Sequence, residues 1–184
     1  LRHVLVIDSG LPCNRQTPHS HNFITHDGEK PAIISAKAKK QVAFYKTVQF
    51  YNGLAIDAVK INNGFEITTK SGKIFTSKKV LFATGVKDLL PEIDGFSNCW
   101  GISILHCPYC HGYEVKKEKT AIVANGDMGF EYAKLIKNWT KNLKLCTNGK
   151  STLTPKQTQI LNKHQIEIIE NEIESFEHKN GTIK

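Results

Sequence analysis

The stretch Thr120-Ala121-Ile122-Val123-Ala124-Asn125-Gly126-Asp127-Met128-Gly129, continued by Phe130, Ala133, Leu135 and Ile136, constrains the fold more than any other. A short apolar run ending at glycine reads as a strand buried on both faces, and apolar residues recurring every three or four positions read as a helix packed on it. Strand, glycine turn and helix in succession is the context of a dinucleotide-binding unit. Leu143 to Cys146 gives the next strand, and Thr154-Pro155 starts a second helix, with Thr as cap and Pro at the first helical position. Gln165 to Ile169 and Ile173 to His178 read as two further short strands. This alternation predicts a parallel sheet with helices on its faces.

The glycine turn matches G-x-G-x-x-G only as Ala124-x-Gly126-x-x-Gly129, so its first glycine is missing. A pyrophosphate would still meet free N–H groups and a favourable dipole at the helix start. About 20 residues on, an acid would hold the ribose of NAD, and a cation the 2′-phosphate of NADP. The chain offers Cys146-Thr147-Asn148-Gly149-Lys150, with no acid. Lys150, with Thr147 and Asn148 as hydrogen-bonding groups, points to NADP.

The preceding half opens with Val4-Leu5-Val6-Ile7-Asp8, another doubly buried strand pattern. A polar stretch from Ser9 to Pro31 follows, too long for an idle connection. Ala32 to Phe44 reads as a helix, and Leu54 to Ile61, Phe65 to Thr69 and Lys73 to Thr76 as short strands, the last two joined by a Ser71-Gly72 turn. Lys79 to Gly85 reads as a buried strand ending in glycine, and Asp88 to Ile104 as a crossing between domains.

"LHCPYCHGYE", Leu105 to Glu114, carries the chemistry. Cys107-x-x-Cys110-His111 satisfies the pattern for haem attachment, which needs an oxidising compartment and a second axial ligand. The only methionine is Met128, inside the glycine turn. A zinc site built on Cys107, Cys110 and His106 or His111 finds no second C-x-x-C or H-x-x-x-H to complete four ligands. As a redox dithiol, the spacing lets two thiols close a small disulfide at the start of a helical turn, where amide N–H groups favour a thiolate. His111 can exchange a proton near neutrality, and Glu114 can pair with it if the turn stays helical. A dithiol, a proton shuttle and a nucleotide-binding turn together point to electron transfer through sulfur.

The net charge of +8 allows a nucleic-acid surface. The lysines are spread along the chain with no stacking aromatics between them, so a solvated basic face is the expectation and nucleic acid is not. No apolar run is long enough to span a bilayer, and the sequence enters a strand pattern directly rather than a signal segment, giving the expectation of a soluble cytoplasmic protein. Five cysteines, an odd number, do not suggest a secreted disulfide framework.

"VLFATG", a linker, "CPYCHGYE", a strand and "ANGDMG", in that order, resemble the low-molecular-weight thioredoxin reductase family, including its branch of dithiol oxidases. The resemblance implies an α/β fold of two Rossmann-like domains, a partial FAD-binding domain over residues 1–90 and a partial NAD(P)H-binding domain over 91–184 that carries the C-x-x-C. It implies that Asp8 holds the adenosine ribose of FAD, that the loop from Ser9 and Gly10 to Arg15 runs along the cofactor, and that Asn22, Thr84 and Gly85 stand near the flavin. Gly126, Asp127 and Gly129 would meet the NADPH pyrophosphate. Cys110 would face the flavin, Cys107 would attack the substrate disulfide, and His111 would take the acid–base position. The implied activity passes electrons from NADPH through FAD to the Cys107/Cys110 disulfide and on to thioredoxin or a similar disulfide, in a homodimer. The alternatives are an oxygen-dependent dithiol oxidase of the same family and a zinc- or haem-binding module. The family's first strand, its G-x-G-x-x-G and its C-terminal glycine-aspartate motif fall outside these residues, so the sequence reads as an internal piece of a longer chain. The paired arginines that many members place on the NADP phosphate are missing.

Overall fold

The computed structural model describes residues 2–184. It divides into two units, one running to Leu89 and one spanning Leu90–Lys184.

In the first unit, β1 (Val4–Asp8) pairs in parallel with β2 (Val48–Asn52), and α1 (Pro31–Val42) lies between them in sequence. β2 was not foreseen, and α1 starts at proline and stops two residues before the expected Phe44. β3 (Ala55–Ile61), β4 (Gly64–Thr69) and β5 (Ile74–Ser77) form an antiparallel meander with an irregularity between Ala55 and Asp57. Among the described residues of this first unit, Thr69 is the single buried one. Its hydroxyl donates to the Lys73 carbonyl and accepts from the Lys73 N–H, closing the turn before β5.

The strand expected over Lys79 to Gly85 does not form: the segment makes no ladder, and Leu81 and Phe82 are 90% and 72% exposed. A doubly buried strand needs neighbours on both edges and layers on both faces, and no described strand edge meets this segment.

The second unit begins with two single-turn helices, α2 (Phe96–Cys99) and α3 (Pro108–His111). Then β6 (Thr120–Val123), α4 (Gly126–Ile136), β7 (Leu143–Cys146), α5 (Pro155–Lys163) and β8 (Glu167–Ile169) build a parallel sheet in the order β6-β7-β8. This is the expected α/β arrangement. Ile122, Phe130, Ala133, Leu143, Leu145, Leu161 and Ile166 form its core. Leu145 and Leu161 are fully buried, each stabilising the unit by about 1.5–3 kcal/mol relative to an exposed side chain. α5 starts as expected: the Thr154 hydroxyl accepts from the Gln157 N–H while the Gln157 side chain accepts from the Thr154 N–H.

The strand expected over Ile173 to His178 reduces to a bridge between Ser175 and Asp94 and to a hairpin of β9 (His178–Lys179) and β10 (Thr182–Ile183). Among the described residues no helix is long and apolar enough to cross a membrane.

Candidate functional site

The cysteine pair is set by α3. Cys107 is the N-cap in extended conformation, Pro108 takes the first helical position, and the Cys107 sulfur accepts the Cys110 backbone N–H at 3.2 Å. The N-capping role usually filled by an oxygen is filled here by sulfur. Both thiols are free, Cys110 exposed and Cys107 partly so. Cys110 is held above the ordinary thiol range, first by its hydrogen bond to Cys107, then by burial and by the charge of Cys107. His111 is half-buried and ends α3. Glu114 lies in the turn that follows, where the Val115 N–H donates to the His111 carbonyl at 3.4 Å. Among the described residues no three His, Cys, Asp or Glu side chains are grouped to hold a metal ion.

In the first unit, Asp8 at the end of β1 stands in the wall of a cleft of about 590 Å³, also lined by Gly10, Arg15, Ser35 and Lys39. Its carboxylate accepts the Gly10 N–H at 2.8 Å and the Lys39 ammonium at 2.5 Å. The Lys39 bond, and after it the Gly10 N–H, hold the carboxyl below its usual range against a small opposing effect of burial. Gly10 needs a positive φ of 73° to aim its N–H this way. Arg15 is folded back onto the Pro12 carbonyl. The structure thus brings Asp8, Gly10 and Arg15 to one cleft, whereas Ser9, Asn22, Thr84 and Gly85 do not line it. Asn22 instead donates its N–H to Asp27, in a loop where His26 and Lys37 both meet Glu29.

At the glycine turn, Gly129 is tied to packing: a Cβ there would lie 3.0 Å from the Ala124 carbonyl oxygen and 3.3 Å from the Leu145 side chain. Gly126 has φ 56°. Asn125, which the sequence did not single out, organises the turn. Its Oδ1 accepts from the N–H groups of Gly126 and Thr152 and from the Thr152 hydroxyl, and its Nδ2 donates to the Lys150 carbonyl. Asp127 accepts from the Gln157 side chain at 2.7 Å. Thr147 is buried and donates to the Gly149 carbonyl, and Asn148 accepts from the Ile173 N–H. Lys150 is exposed.

Comparison with known proteins gives a consistent result. Thioredoxin reductase aclD of Aspergillus oryzae is 32% identical over 192 residues, covering 100% of this chain and 61% of the relative. Thioredoxin reductase tcpT of Claviceps purpurea is 31% identical, covering 81% of this chain and 49% of the relative. The chain therefore spans roughly half to three-fifths of the length of these relatives. Among solved structures, the protein assigned as thioredoxin reductase TrxB from Bacillus anthracis superposes with a TM-score of 0.94 at 31% identity, covering 100% of this chain and 62% of that one. An oxidoreductase from Agrobacterium tumefaciens gives 0.87 at 31% identity, covering 96% and 59%. The family model for pyridine nucleotide-disulphide oxidoreductases matches residues 2–182, and the chain belongs to that family.

Proposed function

We propose that this chain is the dithiol-bearing part of a flavin-dependent disulfide oxidoreductase that exchanges electrons with thioredoxin or a similar disulfide through Cys107 and Cys110. The observation that carries the reading is the single turn of α3, in which the Cys107 sulfur accepts the Cys110 amide N–H and both thiols are free. Cys107 attacks one sulfur of the partner disulfide and releases a thiolate. Cys110 then attacks Cys107, the mixed disulfide breaks, and the second thiolate leaves. Two electrons pass to the partner, the Cys107–Cys110 bond forms, and His111, next to Cys110 in the chain, supplies a proton.

The Asp8 cleft fits a flavin nucleotide: each Asp8 oxygen keeps a lone pair for a ribose hydroxyl, and Gly10, Arg15 and Lys39 surround it with N–H groups and positive charge. When bound there, FAD supplies the two-electron exchange that returns the pair to the dithiol. In the first reading those electrons originate from NADPH, with Gly126 and Gly129 at its pyrophosphate and Lys150 at its phosphate.

A second reading, an oxygen-dependent dithiol oxidase, is favoured by a specific observation. The Gly126 N–H is already taken by Asn125, the Asp127 carboxylate sits in the first turn of α4, and Thr147 and Asn148 are engaged internally. The glycines fit a dinucleotide and the polar groups oppose one. The FAD-loaded protein separates the readings. NADPH oxidation that depends on thioredoxin supports the reductase; oxygen uptake with a small dithiol and no NADPH supports the oxidase. Retention of either activity by Cys107→Ser or Cys110→Ser would sink both.

A further inference from the structure

We infer that Trp139 is a positioning residue for the dithiol, an aromatic floor that holds α3 in the conformation from which the Cys107–Cys110 bond closes. This rests on the dithiol reading above. Trp139 follows α4 and is fixed from below: its carbonyl accepts the Lys117 N–H at 2.9 Å, and the neighbouring Thr140 hydroxyl donates to the Glu118 carbonyl at 2.7 Å. Its indole reaches the end of α3. A Cβ added to Gly112 would lie 2.9 Å from both the Cε2 and Nε1 atoms of the indole, and 2.3 Å from the Pro108 carbonyl oxygen. Gly112 has φ −63° and ψ −31°, which any residue can adopt. The glycine after the cysteine pair is therefore required by the ring and carbonyl packed against it and not by its backbone angles. From the other side, Tyr109, between the two cysteines, meets the Trp139 ring edge-on at 6.3 Å and 84°. The opposite end of the turn is anchored as well, since His106 stacks on Trp100 at 5.5 Å.

A pair held in one turn loses little further freedom on closing its disulfide, whereas a loosened turn must lose it then. Removing the floor should therefore disfavour closure. The assay is equilibration of the full chain with glutathione buffers, in which the pair gives two electrons and two protons to glutathione disulfide and two glutathione molecules leave. Trp139→Leu should lower the equilibrium constant for closure about tenfold, equivalent to about 30 mV for a two-electron couple. Trp139→Phe, which keeps an aromatic edge toward Tyr109, should stay within about twofold of wild type. Tyr109 is 73% exposed, so Tyr109→Leu tests the contact without threatening the fold and should shift the constant in the same direction as Trp139→Leu. A purely structural tryptophan would lower the melting temperature and leave this constant unchanged. The inference is overturned if folded Trp139→Leu matches wild type or, should that variant not fold, if Tyr109→Leu does. A wild-type pair that never closes a disulfide would remove the proposed function itself.

Discussion

Asn125→Ala should destabilise the second unit by about 2–3 kcal/mol. The substitution deletes the oxygen that caps α4, worth about 1 kcal/mol. It also strips a partner from the Thr152 N–H and from the Lys150 carbonyl, each bonded at 2.9 Å and worth about 0.5–1 kcal/mol at a partly exposed site. Asn125→Asp separates the contributions, because it keeps the accepting oxygen and turns the other oxygen toward the Lys150 and Thr147 carbonyls. Its cost should be intermediate, about 1 kcal/mol. Both tryptophans, Trp100 and Trp139, belong to the unit Leu90–Lys184, so tryptophan emission during urea unfolding follows this unit alone. An Asn125→Ala midpoint shift worth less than about 0.5 kcal/mol at unchanged slope would show that the side chain merely decorates the turn.

Three further outcomes follow. Because the Cys107 sulfur accepts an amide N–H, which favours a thiolate, limited alkylation of the reduced pair near pH 8 should label Cys107 before Cys110, read by peptide mass; preferential labelling of Cys110 would reverse the assigned roles. His111→Ala should slow disulfide turnover about 10²–10⁴-fold, with partial recovery in His111→Asp, and equal slowing of flavin reduction would make the residue structural. Asp8 is depressed by Lys39 and Gly10, so its contribution is present above the unfolded carboxyl value of about 3.9 and is lost as pH falls through the lower folded value. Both partners are more than a third exposed, which keeps that contribution below about 1 kcal/mol; Asp8→Asn should flatten the acid limb of a circular-dichroism titration below pH ~4.

The β6-α4-β7-α5 run was legible because every signal in it is local. Buried Leu143 and Leu145 alternate along β7, Phe130 and Ala133 recur at helical spacing, and Thr154-Pro155 caps α5. Lys79 to Gly85 and Ile173 to His178 misled because strand pairing depends on what lies alongside, and no period in the sequence reports that. β2 escaped because Val48–Asn52 acquires its meaning only from β1. At the site, the cysteine pair was readable from spacing. Lys39 lies 31 residues from Asp8, and Trp139 meets Gly112 only after α4 has turned the chain back, so neither left a pattern to find. Asn125 was not singled out, because its bonds to residues 150 and 152 reach 25 and 27 positions along the chain.

The Val80-Leu81-Phe82-Ala83-Thr84 segment, exposed from Leu81 onward, sets how these 184 residues behave as a colloid. It is uncharged, free of proline and rich in β-forming residues, the composition from which stacked intermolecular strands grow. At low ionic strength the net charge of +8 keeps copies apart; at physiological salt the repulsion reaches only about 8 Å. Light scattering of the 184-residue chain should therefore climb with added sodium chloride. A lysine placed at Leu81, 90% exposed, should hold the solution clear by putting a like charge in every rung of the stack.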